Sequence, residues 1–168
     1  MKVLLVGAGR IGKRHAEQIV NLCELIAVCD TNEHAASALA NQYNVPFFTS
    51  IESMLDEKFE AEIVSICTPN GLHAQHSILC FIAGYHVLCE KPMALSSVEC
   101  ISMMESASKN KKRLFVVKQN RYNEPVKVLN QLIQNNKLGK IYSIHLACCW
   151  NRNSDYYQTT WHGTKQMD

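Results

Sequence analysis

The stretch that decides the fold is Gly7-Ala8-Gly9-Arg10-Ile11-Gly12, which stands near the start of the chain. It follows the apolar run 2–6, which predicts a buried strand. Its second half opens the run 10–21, whose apolar positions have the spacing of a helix. A G-x-G-x-x-G motif between a strand and a helix is the pattern that binds the diphosphate of a dinucleotide. The motif therefore predicts a dinucleotide-binding turn.

Each glycine of the motif has its own physical task. Gly7 permits a tight turn, Gly9 lets the pyrophosphate approach the backbone, and Gly12 lets the helix pack closely on the sheet. The free amides and the positive dipole end of the helix favour a phosphate at this point. We therefore predict that the turn binds the cofactor through a set of five residues, namely Gly7, Gly9, Arg10, Ile11 and Gly12.

An acidic residue, Asp30, stands at the end of the next predicted strand, 25–29. Its carboxylate can accept hydrogen bonds from the adenosine ribose hydroxyls, and it would repel a 2′-phosphate. The two residues that follow, Thr31 and Asn32, supply no cation to reverse that preference. The sequence therefore predicts NAD, rather than NADP, as the cofactor.

Strands and helices alternate through the first part of the chain. Predicted strands lie at 2–6, 25–29, 45–48, 62–67, 86–89 and 113–117, with helical patterns between them. Near-continuous apolar strands in this alternation favour a parallel sheet that helices cover on both faces. We therefore predict an α/β fold, a doubly wound Rossmann domain over residues 1–120. The helix N-caps predicted in this region are Asn32, Ser50, and either Ser96 or Ser97.

The pattern changes after about residue 120. Pro125 predicts the start of a helix that Gly139 ends. Residues 142–150 then alternate between apolar and polar side chains, which predicts a half-buried strand of an antiparallel sheet. We therefore expect residues 121–168 to be the incomplete start of an α+β domain for substrate binding and oligomerisation. The apolar face of its strand favours association with a partner.

Composition excludes several classes of protein. Of the 168 residues, 47% are apolar and 19% charged, and the net charge is +2, which indicates a globular protein without a basic nucleic-acid or membrane surface. The start of the chain lacks the apolar stretch of a secretory signal, so a cytoplasmic location is expected.

The eight cysteines form no C-x-x-C pair. They are expected to be reduced thiols that pack as small hydrophobic side chains, and no metal site is expected.

Two further motifs follow strand ends. The first is Thr68-Pro69-Asn70-Gly71-Leu72-His73, and the second is Glu90-Lys91-Pro92. Ligands of open parallel sheets bind at the carboxyl ends of the strands. Lys91 could hydrogen-bond the reacting hydroxyl of a substrate, or relay its proton. Pro92 restricts Lys91 and allows a cis bond between them.

Taken in order, these motifs resemble those of the glucose–fructose oxidoreductase/inositol dehydrogenase/MocA family. The resemblance covers residues 1–123 and rests on GAGRIG, TPN-x-x-H and HVLCEKPMAL. It implies that Lys91 is the catalytic lysine. It also implies that the nicotinamide end of the cofactor site includes a second set of residues, namely Thr68, Pro69, Asn70, His73, Glu90 and Lys91.

The tail is similar to one branch of that family. Tyr156-Tyr157, then Trp161-His162-Gly163-Thr164 and Asp168, match a pattern of enzymes that act on nucleotide sugars, although His162 stands where arginine is common. The branch includes UDP-N-acetylglucosaminuronate 3-dehydrogenases of surface-polysaccharide and lipopolysaccharide synthesis. The resemblance implies a nucleotide-sugar substrate, with candidate contacts at Lys91, Arg121, Arg152, Tyr157, Trp161 and Thr164.

In the family, a histidine beyond the position of Asp168 supplies acid–base catalysis. We therefore expect this chain to bind NAD but to turn over little substrate, and the full-length protein to be a dimer or tetramer. Two alternatives stay open. One is a relative that oxidises inositol or a free sugar, and the other is an NAD-binding module without catalysis.

Overall fold

The computed structural model describes residues 1–158 and 161–168. Contacts between backbone positions divide the chain into two compact units, one formed by Met1–Val117 with Trp161–Asp168 and the other by Lys118–Thr160. The predicted boundary near residue 120 thus lies close to the observed division, but the last eight residues return to the first unit. Each unit is described separately below.

In the first unit, strands and helices alternate. The strands are β1 (Lys2–Val6), β2 (Glu24–Cys29), β3 (Phe47–Phe48), β4 (Ile63–Ile66), β5 (His86–Cys89) and β6 (Leu114–Val116). The helices are α1 (Arg10–Leu22), α2 (Glu33–Tyr43), α3 (Ile51–Asp56), α4 (His73–Ile82) and α5 (Ser97–Lys109). Each predicted element is present, with its ends shifted by a few residues at most.

The strands of the described region form one parallel sheet in the order β3-β2-β1-β4-β5-β6. The last residue of β1, Val6, pairs with Cys29 of β2 on one side and with Ile66 of β4 on the other. The chain therefore reverses its direction of winding at β1, and a crevice opens beside β1 at the carboxyl ends of the strands. The predicted doubly wound α/β fold is confirmed.

The sheet is buried on both faces. Leu4 and Val6 belong to one apolar cluster, and Val3 and Leu5 belong to the other, because successive side chains of a strand point to opposite faces. Phe81 of α4, in the first cluster, is the largest fully buried side chain among the described residues. This packing holds the strand ends, and the loops that follow them, at one edge of the molecule.

Three predicted helix caps form. The side chain of Asn32 accepts from the Ala35 N–H at 3.0 Å, and that of Ser50 accepts from the Ser53 N–H at 3.3 Å. Ser96 and Glu99 form a reciprocal capping box at the start of α5. These bonds satisfy backbone amides that have no partner within the helix, so the local sequence sets where α2, α3 and α5 begin.

In the second unit, α6 spans Glu124–Gln134, so it begins one residue before the predicted start at Pro125, which lies in its first turn. The predicted end at Gly139 is wrong. Asn136 adopts the left-handed conformation (φ 54°), and the next N–H, of Lys137, donates to the Leu132 carbonyl at 2.9 Å. This left-handed turn ends the helix before the glycine is reached.

The predicted strand over 142–150 is also wrong, because residues 141–153 contain neither strand nor helix. The side chains there are exposed, to 84% at Tyr142 and 90% at Leu146. A half-buried strand needs a neighbouring strand to pair its backbone, and the described residues of this unit offer none. A short helix, α7 (Ser154–Gln158), follows. None of the helices in the described ranges is long and apolar enough to cross a membrane.

Candidate functional site

The glycine turn between β1 and α1 tolerates no side chain at two of its positions. Gly7 has φ +102°, and a Cβ atom there would lie 2.5 Å from the Cys67 carbonyl oxygen. A Cβ atom at Gly12 would lie 1.8 Å from the Gly7 carbonyl oxygen. Gly7 and Gly12 are therefore required by the close approach of the turn, the helix and the loop after β4.

Gly9 is different, because a Cβ atom there would meet no atom of the described residues within 4 Å. Gly9 is the N-cap of α1 and supplies no side-chain cap bond, and the first turn of the helix contains no acidic residue. The first-turn amides at Arg10 and Ile11 therefore stand at the positive end of a helix without an internal anion. This arrangement fits the diphosphate of a dinucleotide.

The carboxylate of Asp30 is held by backbone amides on both sides. Its Oδ2 atom accepts from the Ala8 N–H at 2.7 Å, and its Oδ1 atom accepts from the Asn32 N–H at 2.8 Å. Each oxygen keeps a further lone pair for a ligand. Asp30 thus carries a fixed negative charge beside the glycine turn, which fits ribose hydroxyls and disfavours a 2′-phosphate.

The Glu90-Lys91-Pro92 turn follows β5 and contains a cis peptide bond between Lys91 and Pro92. Lys91 is exposed, whereas Glu90 is only 7% exposed. The Lys91 N–H donates to Glu90 Oε2 at 3.1 Å. The turn therefore presents the lysine side chain at the carboxyl edge of the sheet and keeps the carboxylate beneath it.

His15 of α1 bonds this buried carboxylate and was not among the predicted site residues. Its Nε2 atom lies 3.0 Å from Glu90 Oε1, and its Nδ1 atom lies 2.8 Å from Ser65 Oγ. Burial by itself would raise the pKa of Glu90, but the hydrogen bonds from His15 and the Lys91 N–H outweigh it and lower that pKa. The sequence carried no local signal for the pair, because its members are 75 positions apart.

His73 lies beneath the edge of the sheet rather than on it. Its side chain is 1% exposed, and its ring nitrogens lie 2.6 Å from the Pro92 carbonyl oxygen and 2.9 Å from the Thr68 carbonyl oxygen. The ring therefore joins the loop after β4 to the turn after β5. Both ring nitrogens of His73 are engaged in these bonds, and its place at the nicotinamide end stays a prediction.

The loop after β4 contacts the end of the chain. The Asn70 side chain donates to Asp168 Oδ1 at 2.8 Å, and the Gly71 N–H donates to the Met167 carbonyl oxygen at 3.2 Å. The Gly163 N–H donates to Asp168 Oδ2 at 2.7 Å. Asp168 therefore ties the segment Trp161–Asp168 to the Thr68–Leu72 loop, a contact that the sequence alone did not reveal.

The predicted substrate contacts fall in both units. In Lys118–Thr160, Arg121 is exposed in the 3-10 turn Gln119–Tyr122, Tyr157 is exposed in α7, and the Arg152 guanidinium lies 4.4 Å from the Trp150 ring centroid. In the first unit, Trp161 stacks on His162, with ring centroids 4.0 Å apart. The Thr164 hydroxyl donates to the Trp161 carbonyl oxygen at 2.8 Å, so these two residues share one compact loop.

No group of three or more potential metal ligands occurs within the described ranges. All eight cysteines are free thiols. Burial raises the pKa of Cys29, Cys67 and Cys89 to about 12 each, and it also raises the pKa of Cys80. These four cysteines are thus buried thiols in the protonated form, as predicted.

Comparison with known proteins agrees with this geometry. D-glucoside 3-dehydrogenase of Escherichia coli (strain K12) is 34% identical over 146 residues, which are 84% of this chain and 41% of that protein. The crystal structure of the WlbA dehydrogenase of Chromobacterium violaceum, in complex with NADH and UDP-GlcNAcA, matches with TM-score 0.95 and 38% identity over 100% of this chain and 50% of its own. That of myo-inositol 2-dehydrogenase from Lactobacillus plantarum matches with TM-score 0.78 and 25% identity over 84% and 43%.

The chain therefore spans about half the length of the proteins that it matches. The family model described as "Oxidoreductase family, NAD-binding Rossmann fold" matches residues 1–118, which is well over half of the chain. The glycine turn, the acid after β2 and the sheet order all agree with that description. On these grounds the chain belongs to the Gfo/Idh/MocA family of oxidoreductases with an NAD-binding Rossmann fold.

Proposed function

We propose that this chain is the cofactor-binding part of an NAD-dependent enzyme that oxidises a sugar hydroxyl to a ketone. The proposed substrate is a UDP-linked N-acetylated hexuronic acid, oxidised at C3 in surface-polysaccharide synthesis. We further propose that residues 1–120 form the cofactor domain and residues 121–168 begin a substrate and oligomerisation domain, and that the whole protein acts as a cytoplasmic homo-oligomer.

The observation that carries this proposal is the contact between Asp168 and Asn70. It brings the segment Trp161–Asp168 to the carboxyl end of β4, and β4 pairs directly with β5, whose end carries Lys91. A segment that resembles the nucleotide-sugar branch thus lies on the edge where an open parallel sheet binds its ligands.

The comparisons support the same substrate class. The WlbA structure, which contains UDP-GlcNAcA, aligns over the whole chain, whereas the inositol dehydrogenase aligns over 84% of it. The curated relative acts, by its name, at position 3 of a glucoside. Together these favour C3 of a nucleotide-linked sugar over a free polyol.

In this proposal, different residues bind the cofactor, act on the reacting hydroxyl and bind the substrate. The α1 amides after Gly9 would hold the diphosphate and Asp30 the adenosine ribose. When bound, NAD⁺ would supply the acceptor for the hydride that leaves the sugar carbon. Lys91 would hydrogen-bond the hydroxyl of that carbon and share in removing its proton. Arg121 and Arg152 suit a carboxylate or diphosphate, because guanidinium groups bond both in bidentate fashion.

The test is oxidation of UDP-N-acetylglucosaminuronate by the natural protein, followed as NADH formation. We expect Lys91→Met to lower kcat by about a hundredfold or more, and the control Lys109→Met, an exposed position on α5, to leave it unchanged. Oxidation of myo-inositol or free sugars, but not of the nucleotide sugar, would favour the first alternative. Full biological activity of the Lys91→Met protein would favour an NAD-binding module without catalysis.

A further inference from the structure

The pair His15–Glu90 is buried, with side-chain exposures of 14% and 9%. A buried carboxylate and a buried imidazole are costly unless each polar atom has a partner. Here each does: Glu90 bonds His15 and the Lys91 N–H, and His15 bonds Glu90 and Ser65. The pair therefore forms a defined network, and the proposed chemistry does not itself use it.

The polar atoms of this network are connected in series. An ionised Glu90 only accepts, so His15 Nε2 donates the hydrogen in their bond, and His15 Nδ1 bonds the Ser65 hydroxyl. The Ser65 hydroxyl in turn contacts the Cys67 thiol, with Oγ and Sγ 3.8 Å apart. Each of these polar groups thus has a partner, which defines the geometry around Glu90.

Three elements meet at this carboxylate. His15 belongs to α1, whose first turn is the proposed diphosphate site, and Ser65 belongs to β4. The second carboxylate oxygen of Glu90 holds the Lys91 backbone, and the Glu90 N–H donates to the Ile66 carbonyl oxygen at 3.0 Å. The position of the lysine relative to the cofactor helix therefore depends on the bond between His15 and Glu90.

We propose that His15 is a positioning residue for Lys91: through Glu90 it fixes the turn that presents the lysine and ties that turn to the helix that holds the cofactor. This inference rests on the proposed role of Lys91 in oxidation. His15 itself does not touch the reacting atoms, because its two ring nitrogens are engaged with Glu90 and Ser65.

A matched pair of substitutions separates positioning from simple packing. In His15→Asn the amide takes the place of Nδ1, so the bond to Ser65 can form and the bond to Glu90 is lost. In His15→Gln the longer amide takes the place of Nε2 and can donate to Glu90. The control is Gln18→Asn, an exposed position on the same helix, which introduces the same residue and lowers helix propensity at least as much.

Two measurements on the natural protein and its variants test this inference. The first is kcat for nucleotide-sugar oxidation, for which we expect a loss of about tenfold to a hundredfold in His15→Asn and of about threefold or less in His15→Gln, with little change in KM for NAD⁺. The second is the amide ¹H chemical shift of Lys91 in ¹⁵N-lysine-labelled protein. It should move upfield in His15→Asn and stay near the wild-type value in His15→Gln.

The outcomes distinguish this inference from the proposed function. Equal losses of kcat in both variants, in proportion to their losses of thermal stability, would overturn it. So would a Lys91 amide shift that is the same in His15→Asn as in the wild type. If Lys91→Met stays active, the role of Lys91 in oxidation fails, and the Lys91 amide shift still decides whether His15 positions the turn.

Discussion

Oδ2 of Asp30 accepts a hydrogen bond from the Ala8 backbone N–H at 2.7 Å, which ties the end of β2 to the glycine turn after β1. The acid proposed to bind the ribose and the turn proposed to bind the diphosphate are thereby joined directly. A charge-assisted bond to a backbone amide also orients the carboxylate before a ligand arrives.

Asp30→Asn tests this arrangement. Asparagine can still accept from one amide, so the fold should persist, but the charge that repels a 2′-phosphate is gone. We expect NADH to bind about tenfold more weakly and the preference for NADH over NADPH to shrink, as measured by calorimetric titration. Glu33→Gln, an exposed charge in the first turn of α2, is the control. Tighter binding of NADPH than of NADH by the wild type would contradict the assignment.

Substitutions at two glycines of the turn should affect stability and cofactor binding differently. Gly12→Ala places a Cβ atom 1.8 Å from the Gly7 carbonyl oxygen, so we expect it to lower the free energy of unfolding by about 3 kcal/mol or more. The Cβ atom of Gly9→Ala meets no atom of the described residues within 4 Å, so this variant should lower the free energy of unfolding by about 1 kcal/mol or less.

The same two variants are then compared for binding. Gly9→Ala should weaken NADH binding by about tenfold or more, because the added methyl group would stand at the proposed diphosphate site, where the ligand would approach the backbone. Fluorescence titration and thermal denaturation measure the two effects. The prediction fails if Gly9→Ala binds NADH as the wild type does.

His76 should make stability depend on pH. Burial lowers the pKa of His76 below its ordinary value of 6.5, while Glu52 opposes that effect and His73 adds to it. The unfolded chain therefore takes up the proton first as the pH falls through 6.5, and the free energy of unfolding decreases from there toward the lower pKa of the folded state.

His76→Asn removes the titrating group and can keep the bond that His76 Nδ1 makes to Thr68 Oγ1 at 3.2 Å. We expect its free energy of unfolding, from urea denaturation, to fall less than that of the wild type between about pH 7 and about pH 5. The control is the same substitution at an exposed histidine, His34→Asn, which should leave the pH dependence of the free energy of unfolding as in the wild type. Identical slopes in the wild type and His76→Asn would show that this histidine does not contribute.

Six of the eight cysteines should react in two distinct groups, while Cys23 and Cys100 are of intermediate exposure. Cys148 and Cys149 are exposed, whereas Cys29, Cys67, Cys80 and Cys89 are buried with raised pKa values. Because the thiolate is the reactive form, we expect a disulfide reagent at neutral pH to label the exposed pair rapidly and the buried four only after denaturation. Mass spectrometry of digested protein assigns the sites, and rapid labelling of Cys67 in the native chain would contradict the burial.

The second unit shows where sequence patterns fail. The alternation at 142–150 is a correct description of the side chains, but a strand exists only when another strand satisfies its backbone, and no alternation can state whether that partner is present. Likewise, a glycine such as Gly139 often ends a helix, but here Asn136, three residues earlier, adopts the left-handed conformation and ends it. In both cases the local pattern was clear and its structural context decided the outcome.

The sequence by itself determined the parallel sheet, its helix caps, the glycine turn, the acid after β2 and the placement of Lys91 after β5. Each of these depends on neighbouring residues and on the periods of strands and helices, which one stretch of chain contains in full. Only the tertiary structure decided that His15 reaches Glu90, that His73 bridges two loops and that Asp168 returns to Asn70. Those contacts join residues far apart in the chain, and what brings them together is the packing of helices on the sheet, which no single segment encodes.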